Sequence, residues 1–263
     1  MELSNVLYHH LEEVHNTRSA SIILPILFQI YKPNSVLDVG AGLGTWLKVC
    51  MELGVNEVLG IDGEYVDMSK VVIPHECFLR KDLTQLTHSE KKYDLTICLE
   101  VAEHLPPESA TSFVDFLTTS SDVILFSAAV PFQGGQGHIN ERPMSYWLEL
   151  FEERNYTVYD FIRPQIWNNQ SVDWWYRQNI LIFSKRQDVF TDLPPCSFQA
   201  NTMIHPELYT ARMSRYKHLI DTLGFDVDKY DYLNYVVPQG KLAKIKLALR
   251  ILLKLSKKML TSK

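Results

Sequence analysis

The segment 131–147, PFQGGQGHINERPMSYW, places side chains that can exchange protons within a glycine-rich stretch. Imidazole is the side chain best suited to exchange protons near neutral pH, so we predict that His138 acts as the general base. Glu141 lies close behind it in sequence and would orient that ring. Asn140 and Arg142 offer hydrogen bonds, and we predict that they contact the substrate. The alternative is that the glycines only form turns.

A second polar group lies at 99–105, in LEVAEHL, directly after an apolar run typical of a buried strand. We predict that Glu100 belongs to a cofactor site and that His104 is the second choice as general base. The alternative is that Glu100 and Glu103 begin a helix while His104 packs in the interior. Glu100 and His104 can ligate a divalent metal, but their spacing is not diagnostic. We therefore assign no metal site and leave assistance by a metal open.

Three glycines, Gly40, Gly42 and Gly44, lie in VLDVGAGLGTW at 36–46, where a predicted strand turns into a predicted helix. Glycine at such a turn lets the backbone approach a ligand closely. Thr45 stands where the dinucleotide fingerprint G-x-G-x-x-G has its third glycine, so a pyrophosphate ligand is disfavoured. The alternative is a tight turn that binds nothing.

Three aspartates accompany three successive predicted strands: Asp38 within the first, Asp62 at the end of the second and Asp82 at the end of the third. Asp62 lies 22 positions after Gly40, where a carboxylate can accept hydrogen bonds from both ribose hydroxyls. Asp82 would reach the edge of an adenine ring. For each aspartate alone, capping of the next helix is the alternative. The three together favour a bound nucleoside.

The segment 162–179, IRPQIWNNQSVDWWYRQN, combines aromatic rings with planar polar groups. That combination suits a sugar, whose C–H faces stack on rings while neighbouring hydroxyls form paired hydrogen bonds. The alternatives are that the rings fill the core or stack on nucleic-acid bases. The predicted substrate contacts in this segment are Trp167, Asn168, Trp174, Trp175 and Arg177.

Short apolar runs alternate with amphipathic stretches from Ser35 onward, which predicts a parallel sheet covered by helices on both faces. The last two runs, 157–163 and 179–185, have no helical crossover between them, so we expect them to be antiparallel. The predicted fold is a Rossmann-like, doubly wound α/β fold with a mostly parallel sheet and a C-terminal antiparallel hairpin. The other predicted strands are 35–40, 57–62, 77–82, 93–100 and 122–131, and the predicted helices are 2–16, 17–31, 43–53, 64–70, 84–91, 106–119 and 143–154.

These motifs together resemble those of the class I S-adenosylmethionine-dependent methyltransferases, over about residues 35–185. VLDVGAGLG is similar to their first motif, VLGIDG to their acidic second-strand motif, RKDL to their adenine-contacting motif, and YDLTICLEVAEHLPPE to their fourth-strand motif. The resemblance implies S-adenosylmethionine as cofactor, with Asp38 and the three glycines at its methionine portion. It implies Asp62 at the ribose, and Asp82 with Leu83 at the adenine.

GHINE and QIWNNQSVDWWYRQNILIF also resemble a subgroup of these methyltransferases that is associated with bacterial surface-polysaccharide and glycolipid biosynthesis. That resemblance implies a glycan or glycolipid acceptor. We therefore expect an O-methyltransferase that modifies a sugar hydroxyl. The alternatives are another small-molecule or nitrogen acceptor, a non-catalytic membrane adaptor built on a methyltransferase fold, and a dehydrogenase.

Charge is distributed unevenly along the 263 residues, which carry 26 basic and 31 acidic side chains. Residues 241–263 hold eight of the basic residues and no acidic one, which leaves a net charge of −13 on residues 1–240. An acidic body disfavours a nucleic-acid groove, which needs clustered Lys and Arg. The four scattered cysteines and the polar N-terminus, without a signal-peptide pattern, predict a cytoplasmic protein.

The expected organisation has four parts. N-terminal helices occupy 1–34, the S-adenosylmethionine-binding domain 35–185, and a loop-rich extension 186–240. Residues 241–263 form a basic amphipathic helix, with apolar residues on one face and Lys and Arg on the other. We predict that this helix binds an anionic membrane surface, with docking on the acidic body or on a second subunit as the alternative. The oligomeric state is left open.

Overall fold

A seven-stranded sheet forms the centre of the computed structural model, which describes residues 16–193 and 203–223. The strands are short and consist largely of apolar residues, as expected for a sheet that is buried on both faces. They are β1 (Ser35–Val39), β2 (Glu57–Asp62), β3 (Phe78–Arg80), β4 (Leu95–Leu99), β5 (Val123–Ser127), β6 (Thr157–Tyr159) and β7 (Leu181–Ser184).

The strands lie in the order β3-β2-β1-β4-β5-β7-β6. The first five strands are parallel, whereas β7 is antiparallel to both β5 and β6. The strand order reverses beside β1, whose neighbours are β2 and β4, and ligands bind at the carboxyl edge of such a switch point. The predicted mostly parallel, doubly wound sheet with an antiparallel C-terminal pair is confirmed.

Helices cover both faces of the sheet, and alternate strand residues enter two separate cores. Val36 of β1 packs with the helices of one face, whereas its neighbour Leu37 packs with those of the other. The first face carries α1 and α2, and the second carries α3 and α4. The helices are α1 (Arg18–Phe28), α2 (Thr45–Glu52), α3 (Ala110–Ser120), α4 (Met144–Glu152), α5 (Arg163–Ile166), α6 (Trp174–Asn179) and α7 (Pro206–Leu223).

Two of the predicted helices, 64–70 and 84–91, are wrong. Single 3-10 turns replace them, at Met68–Lys70 and Leu83–Gln85. In each turn the preceding aspartate, Asp67 or Asp82, accepts a hydrogen bond from the backbone N–H two residues ahead. Such a local bond closes one turn and competes with a longer helix.

The segment between β6 and β7 also differs from the prediction. The two strands pair antiparallel as expected, but the segment predicted as a loop contains α5 and α6. Both helices are too short to show a periodic apolar pattern in the sequence. Pro164 lies in the first turn of α5, where its missing N–H has no cost.

The extension predicted as loop-rich, 186–240, contains α7, an 18-residue helix that begins at Pro206. Pro206 and Glu207 are typical of a helix start, but α7 has too weak an apolar stripe to be recognised by pattern. It belongs to a second compact unit, which begins at Pro206.

Two predicted segments fall outside the described ranges: nearly all of the first N-terminal helix, 2–16, and the basic helix at 241–263. The second N-terminal helix, 17–31, corresponds to α1. Within 16–193 and 203–223, none of the helices has the length and apolar character needed to cross a bilayer.

Candidate active site

The turn between β1 and α2 forms the first wall of the candidate site. The backbone N–H groups of Gly40 and Ala41 donate to the carbonyl of Ile61, at 2.8 and 3.1 Å, which ties the turn to β2. Gly40 has φ of +81°, and a Cβ there would lie 2.2 Å from Cγ2 of Val101. Only glycine fits this position, because the turn after β4 packs directly against it.

Asp62 at the end of β2 points toward this turn. Its Oδ2 accepts the N–H of Gly42 at 2.6 Å, and its Oδ1 accepts the N–H of Gly63 and the hydroxyl of Tyr65, each at 2.6 Å. Asp62 therefore holds the glycine turn in place. It also presents a carboxylate at the carboxyl edge, where a ribose was predicted.

Asp38 lies in the middle of the sheet and is 3% exposed. Its Oδ2 has no hydrogen-bond partner among the described residues. Burial raises the pKa of this carboxyl well above its usual range, and the nearby Asp62 raises it further. Such a group calls for a cation or a hydrogen-bond donor from outside the protein.

Asp82 lies in a different environment. Its side chain is exposed, and its Oδ1 accepts the N–H and the hydroxyl of Thr84 at 2.9 and 2.7 Å. Asp82 thus caps the turn that follows β3. Capping was the alternative to a ligand contact for this aspartate. The adjacent Leu83 is buried. A contact of either residue with an adenine ring stays a prediction.

Glu100 follows β4 in a strained conformation, with φ of 55°. Its carboxylate accepts hydrogen bonds from Nε2 of Gln133 at 2.7 Å and from Nδ2 of Asn179 at 3.1 Å. Burial raises the pKa of Glu100, and the bonds from Asn179, Ser127 and Gln133 oppose that rise. Residues from β4, β5, the loop after β5 and α6 thus meet at one carboxylate.

Glu103 and His104 lie one turn further on, in the 3-10 turn Ala102–His104. Glu103 is fully buried, and neither carboxylate oxygen has a hydrogen-bond partner of normal geometry among the described residues. Burial raises the pKa of Glu103 well above its usual range, and the nearby Glu100 raises it further. Burial and the neighbouring His138 lower the pKa of His104 to about 4, so His104 is uncharged at neutral pH.

His138 lies in the loop after β5, and its ring meets that of His104 edge-on, with 4.8 Å between the centroids. Nδ1 of His138 forms a hydrogen bond with Oε1 of Glu141 at 2.9 Å. Glu141 also accepts the backbone N–H groups of Phe132 and Gly134, so it closes the loop around the imidazole. The predicted contact between His138 and Glu141 is present, and its catalytic role stays a prediction.

The loop is fixed to the turn after β4 by its backbone. The N–H groups of Ile139 and Asn140 both donate to the carbonyl of Glu103, at 2.9 and 3.0 Å. Asn140 is buried, and its Oδ1 accepts Nε of Arg142 at 2.8 Å. Asn140 therefore supports the loop, and its contact with a substrate stays a prediction. Arg142 is partly exposed beside it.

The aromatic residues predicted to bind substrate are divided between two environments. Trp174 and Trp175 are partly exposed on α6 and meet edge-on, and Asn168 is exposed. Arg177 is buried, and its guanidinium contacts the carbonyl of Trp167 and Nε2 of His205. Arg177 therefore holds the α5–α6 segment together, and its contact with a substrate stays a prediction.

A cavity of about 230 Å³ opens beside the Glu100 network. Gln178 and Asn179 form its polar side, and the rest of its lining is apolar. The remaining lining residues are Val130, Pro131, Pro143, Met144, Met203 and Ile204. The volume is below the roughly 300–1,000 Å³ of pockets that hold a whole ligand, so it suits one ring or chain of an acceptor.

The family model described as "Methyltransferase domain" matches residues 10–179, more than half of the chain. The chain belongs to this methyltransferase family. It is an S-adenosylmethionine-dependent methyltransferase, so the predicted enzyme class and cofactor are confirmed. No curated protein gives a significant match to the methyltransferase.

Several solved structures are similar to the methyltransferase. Human N-acetylserotonin methyltransferase in complex with SAM is 15% identical with a TM-score of 0.45, and the match covers 64% of this chain and 51% of that one. Magnesium protoporphyrin IX methyltransferase from Synechocystis PCC 6803 with bound SAH is 19% identical, with a TM-score of 0.43 and coverages of 62% and 80%. A SAM-dependent methyltransferase from Archaeoglobus fulgidus is 20% identical, with a TM-score of 0.43 and coverages of 56% and 73%. The methyltransferase thus spans about half the length of the human enzyme.

The residues at the switch point fit an adenosyl sulfonium. The unpartnered Oδ2 of the buried Asp38 is suited to face a cationic group. Gly40 lets the turn after β1 pack directly on Val101, and Asp62 stands at the end of the next strand and holds the same turn. These residues could hold the cofactor without any phosphate-binding group.

Sequence reasoning missed Gln133 and Asn179 as members of the site, and it underrated Glu103. A signal for Asn179 was present, since Gln178 and Asn179 directly precede the apolar run ILIF. An antiparallel strand begins at the edge where its parallel neighbours end, so the residues before β7 had to arrive at the carboxyl edge. No feature of the sequence indicated that the carboxylate of Glu103 would lack a hydrogen-bond partner of normal geometry among the described residues.

Proposed function

We propose that the methyltransferase transfers a methyl group to a sugar hydroxyl in a glycan or glycolipid precursor. The observation that carries this proposal is the His138–Glu141 pair at the carboxyl edge of the sheet. A hydroxyl is a poor nucleophile while protonated, so its methylation calls for a base. A histidine oriented by a carboxylate is suited to that task near neutral pH.

The proposed cofactor contacts follow from the positions of the residues. Asp38 faces the cationic methionine portion, and the backbone of Gly40, Gly42 and Gly44 lies along it. Asp62 accepts hydrogen bonds from the ribose. The remaining contacts are Asp82 and Leu83 at the adenine and Glu100 near the methyl group.

S-adenosylmethionine supplies an electrophilic methyl group on a positively charged sulfur. His138 would take the proton of the acceptor hydroxyl, which makes the hydroxyl oxygen nucleophilic toward that methyl group. The C–O bond forms as the C–S bond breaks, and sulfur keeps the electron pair. Glu141 holds the imidazole in the orientation and tautomer that leave Nε2 available for the proton. The apolar lining of the neighbouring cavity excludes water.

The sugar assignment rests on α6 and on the turn before it. Trp174 and Trp175 are partly exposed, and the exposed Asn168 adds an amide that can bind neighbouring hydroxyls. Trp167 contributes a third ring, which packs on His205 with 4.7 Å between centroids. These groups are suited to stack on and hydrogen-bond a pyranose.

A second acceptor class is favoured by the apolar surface around the loop. The cavity lining is mainly apolar, and Phe132 and Ile139 of the loop are 76% and 58% exposed. These surfaces would bind the lipid part of a glycolipid. They would equally accept a small apolar molecule that carries a hydroxyl, which is the alternative acceptor.

The basic segment 241–263 supports a location at the cytoplasmic face of a membrane. It lies outside the described residues, so this proposal rests on its sequence alone. Its Lys and Arg residues would bind anionic lipid while its apolar face inserts. An enzyme bound there would meet lipid-linked glycan precursors.

The test is to incubate the enzyme with methyl-labelled S-adenosylmethionine and either lipid-linked glycan precursors or small hydroxyl compounds. We expect label on a sugar hydroxyl, located by linkage analysis. The Trp174→Ala/Trp175→Ala variant should lower kcat/KM for the glycan about tenfold or more, because each lost stacking contact contributes about 1 kcal/mol.

The same double variant should bind S-adenosylmethionine with unchanged affinity in isothermal titration. Tyr209→Ala, at an exposed aromatic residue of α7, is the matched control and should leave kcat/KM unchanged. Labelling of small compounds with no labelling of any glycan would contradict the sugar assignment and support the alternative.

A further inference from the structure

Two segments that are far apart in sequence bring three metal-binding side chains together. Glu103 and His104 follow β4, and His138 lies in the loop after β5. One ligand atom from each residue can be chosen so that all three lie within 4.8 Å of one another. The backbone bonds from Ile139 and Asn140 to the Glu103 carbonyl fix this meeting of turn and loop.

Glu103 is the member of this cluster that indicates a ligand from outside the chain. Its carboxylate is fully buried, and both oxygens lack a hydrogen-bond partner of normal geometry among the described residues. Buried polar groups in native proteins are nearly always partnered, and an unpaired buried carboxylate is strongly unfavourable. A cation held between Glu103 and the two histidines would supply the missing partner.

The surroundings of His138 match those of a metal-binding histidine. Its Nδ1 is hydrogen-bonded to Glu141, which leaves Nε2 as the nitrogen for a metal. Metal-binding histidines usually donate their other ring N–H to a carboxylate or a carbonyl. A Cβ at residue 135 would lie 2.1 Å from Nε2 of His138, so the space beside that nitrogen depends on Gly135.

We propose that Glu103, His104 and His138 bind a divalent transition-metal ion that positions the acceptor hydroxyl for methyl transfer. Two imidazoles and one carboxylate are the donor set of Mn²⁺, Fe²⁺, Co²⁺ and Zn²⁺ sites, whereas Mg²⁺ and Ca²⁺ prefer oxygen ligands. Three protein ligands leave coordination positions open for the acceptor oxygen. Glu100 lies close to Glu103 and places a further carboxyl group beside the cluster.

The role of the ion rests on the proposed function, and it changes the part played by His138. A metal-bound hydroxyl has a lowered pKa and can lose its proton to water, so His138 then serves as a ligand and no longer as the base. The oxygen attacks the methyl carbon as before, the C–S bond breaks, and sulfur keeps the electron pair. Without a metal, His138 remains the base described above.

The test uses the full-length enzyme, stripped with a chelator and titrated with Mn²⁺ under electron paramagnetic resonance. We expect one tight site per chain, with nitrogen couplings from two imidazoles in the pulsed spectrum. Glu103→Gln and His138→Asn should each weaken Mn²⁺ binding by more than the roughly 10–100-fold typical of an outer-shell change. His138→Asn should also remove one imidazole coupling.

His88→Asn, at an exposed histidine far from the cluster in sequence, is the matched control and should leave the Mn²⁺ affinity unchanged. Gly135→Ala offers a second route, since a methyl group there displaces His138 without removing a ligand. Binding of S-adenosylmethionine and the circular dichroism spectrum should stay unchanged in each variant, which excludes misfolding as the cause.

Failure of this proposal is distinguishable from failure of the proposed function. The absence of a stoichiometric Mn²⁺ site, or equal affinity in Glu103→Gln, would overturn the metal site even if sugar methylation continues in the presence of chelator. A Mn²⁺ site with two imidazole couplings would support the metal site even if the acceptor is not a sugar.

Discussion

Three carboxyl groups lie within or just after the two central strands: Asp38 and Glu103 are buried, and Glu100 is half-buried. Burial raises the pKa of all three, and two of them have oxygens without partners among the described residues. Such groups reduce the stability of the folded protein, because ionised carboxylates lose hydration there. Their presence together at a ligand-binding edge is typical of a site that gives up stability for function.

Replacing Asp38 by Asn tests whether a buried carboxyl group reduces the stability of the fold. The pKa of Asp38 is raised in the fold, so the folded state becomes less stable relative to the unfolded state as pH rises above the normal value of 3.8. Asn cannot ionise. We expect the free energy of unfolding of Asp38→Asn, relative to wild type, to increase between pH 4 and pH 7.5 by about 1.4 kcal/mol for each unit by which the pKa is raised.

Urea unfolding at the two pH values measures this difference. Asp67→Asn is the control, and its stability relative to wild type should change with pH in the opposite direction. The reason is that hydrogen bonds from Ser69 lower the pKa of the exposed Asp67. Its carboxylate stabilises the fold above the normal pKa and loses that effect as pH falls. A pH-independent difference for Asp38→Asn would show that the carboxyl is not destabilised by burial. Isothermal titration should also show weaker binding of S-adenosylmethionine by this variant.

The glycine turn after β1 contacts the turn after β4. The contact is between Gly40 and Val101. Val101 lies between Glu100 and Ala102, so the turn proposed to hold the cofactor and the turn that carries Glu103 and His104 pack as one unit. A backbone shift in one of these turns is therefore expected to move the other, whereas a side-chain replacement that leaves the backbone in place is not.

Gly40→Ala should destabilise the protein and abolish measurable binding of S-adenosylmethionine. The added Cβ collides with Val101 at 2.2 Å, and φ of +81° is unfavourable for alanine. Overpacking contributes about 1–3 kcal/mol and the left-handed backbone about 1–2 kcal/mol. Thermal unfolding and isothermal titration measure the two effects.

Gly54→Ala separates these two contributions. Gly54 has φ of +85°, but its nearest neighbour to an added Cβ is Nζ of Lys32 at 3.8 Å. This control should show only the backbone cost and should keep full cofactor affinity. Gly40→Ala should reduce the free energy of unfolding less in a Val101→Ala background than in wild type. The difference measures the part of the loss that is caused by the collision with Val101. An equal loss of unfolding free energy in Gly40→Ala and Gly54→Ala would contradict a collision with Val101.

The sequence allowed the fold to be predicted because each long element has a strong local signal. Alternating apolar runs located all seven strands, and the expected sheet is confirmed. Elements shorter than two turns were missed, since α5 and α6 span too few residues to show a period. α7 was missed for a different reason, because it is polar on most of its surface.

Contacts within one segment were easier to predict than contacts between segments. His138 and Glu141 are three residues apart, and their hydrogen bond follows from local spacing. The bonds of Glu100 with Gln133 and Asn179 join residues that are 33 and 79 positions apart. Such bonds depend on the sheet order and on β7 being antiparallel, which the composition of each segment does not reveal.

The whole molecule combines an acidic body with a basic C-terminal segment, 241–263. Deleting this segment after Gly240 should greatly reduce binding to vesicles that contain anionic lipid, since each Lys or Arg near such a surface contributes about 1 kcal/mol. Co-sedimentation with anionic and with purely zwitterionic vesicles, at low and high salt, measures the effect. Methyl transfer to a water-soluble acceptor should be unchanged.

A tail with half of its positive charge separates electrostatic attraction from apolar insertion. Replacing Lys246, Arg250, Lys254 and Lys257 by Gln keeps the apolar residues and removes half of the positive charge. We expect this variant to bind anionic vesicles more weakly than wild type and zwitterionic vesicles equally well. If the truncated enzyme sediments with anionic vesicles as well as the full chain does, the segment has another partner.

The antiparallel course of β7 also has a consequence for synthesis of the protein. Asn179 reaches Glu100 only after β7 has been added beside β5, so the catalytic network closes late in translation. A nascent chain that has emerged only through β5 already contains the nucleoside-binding half of the sheet but lacks this closing residue. A chain that ends there would therefore lack the bond from Asn179 to Glu100.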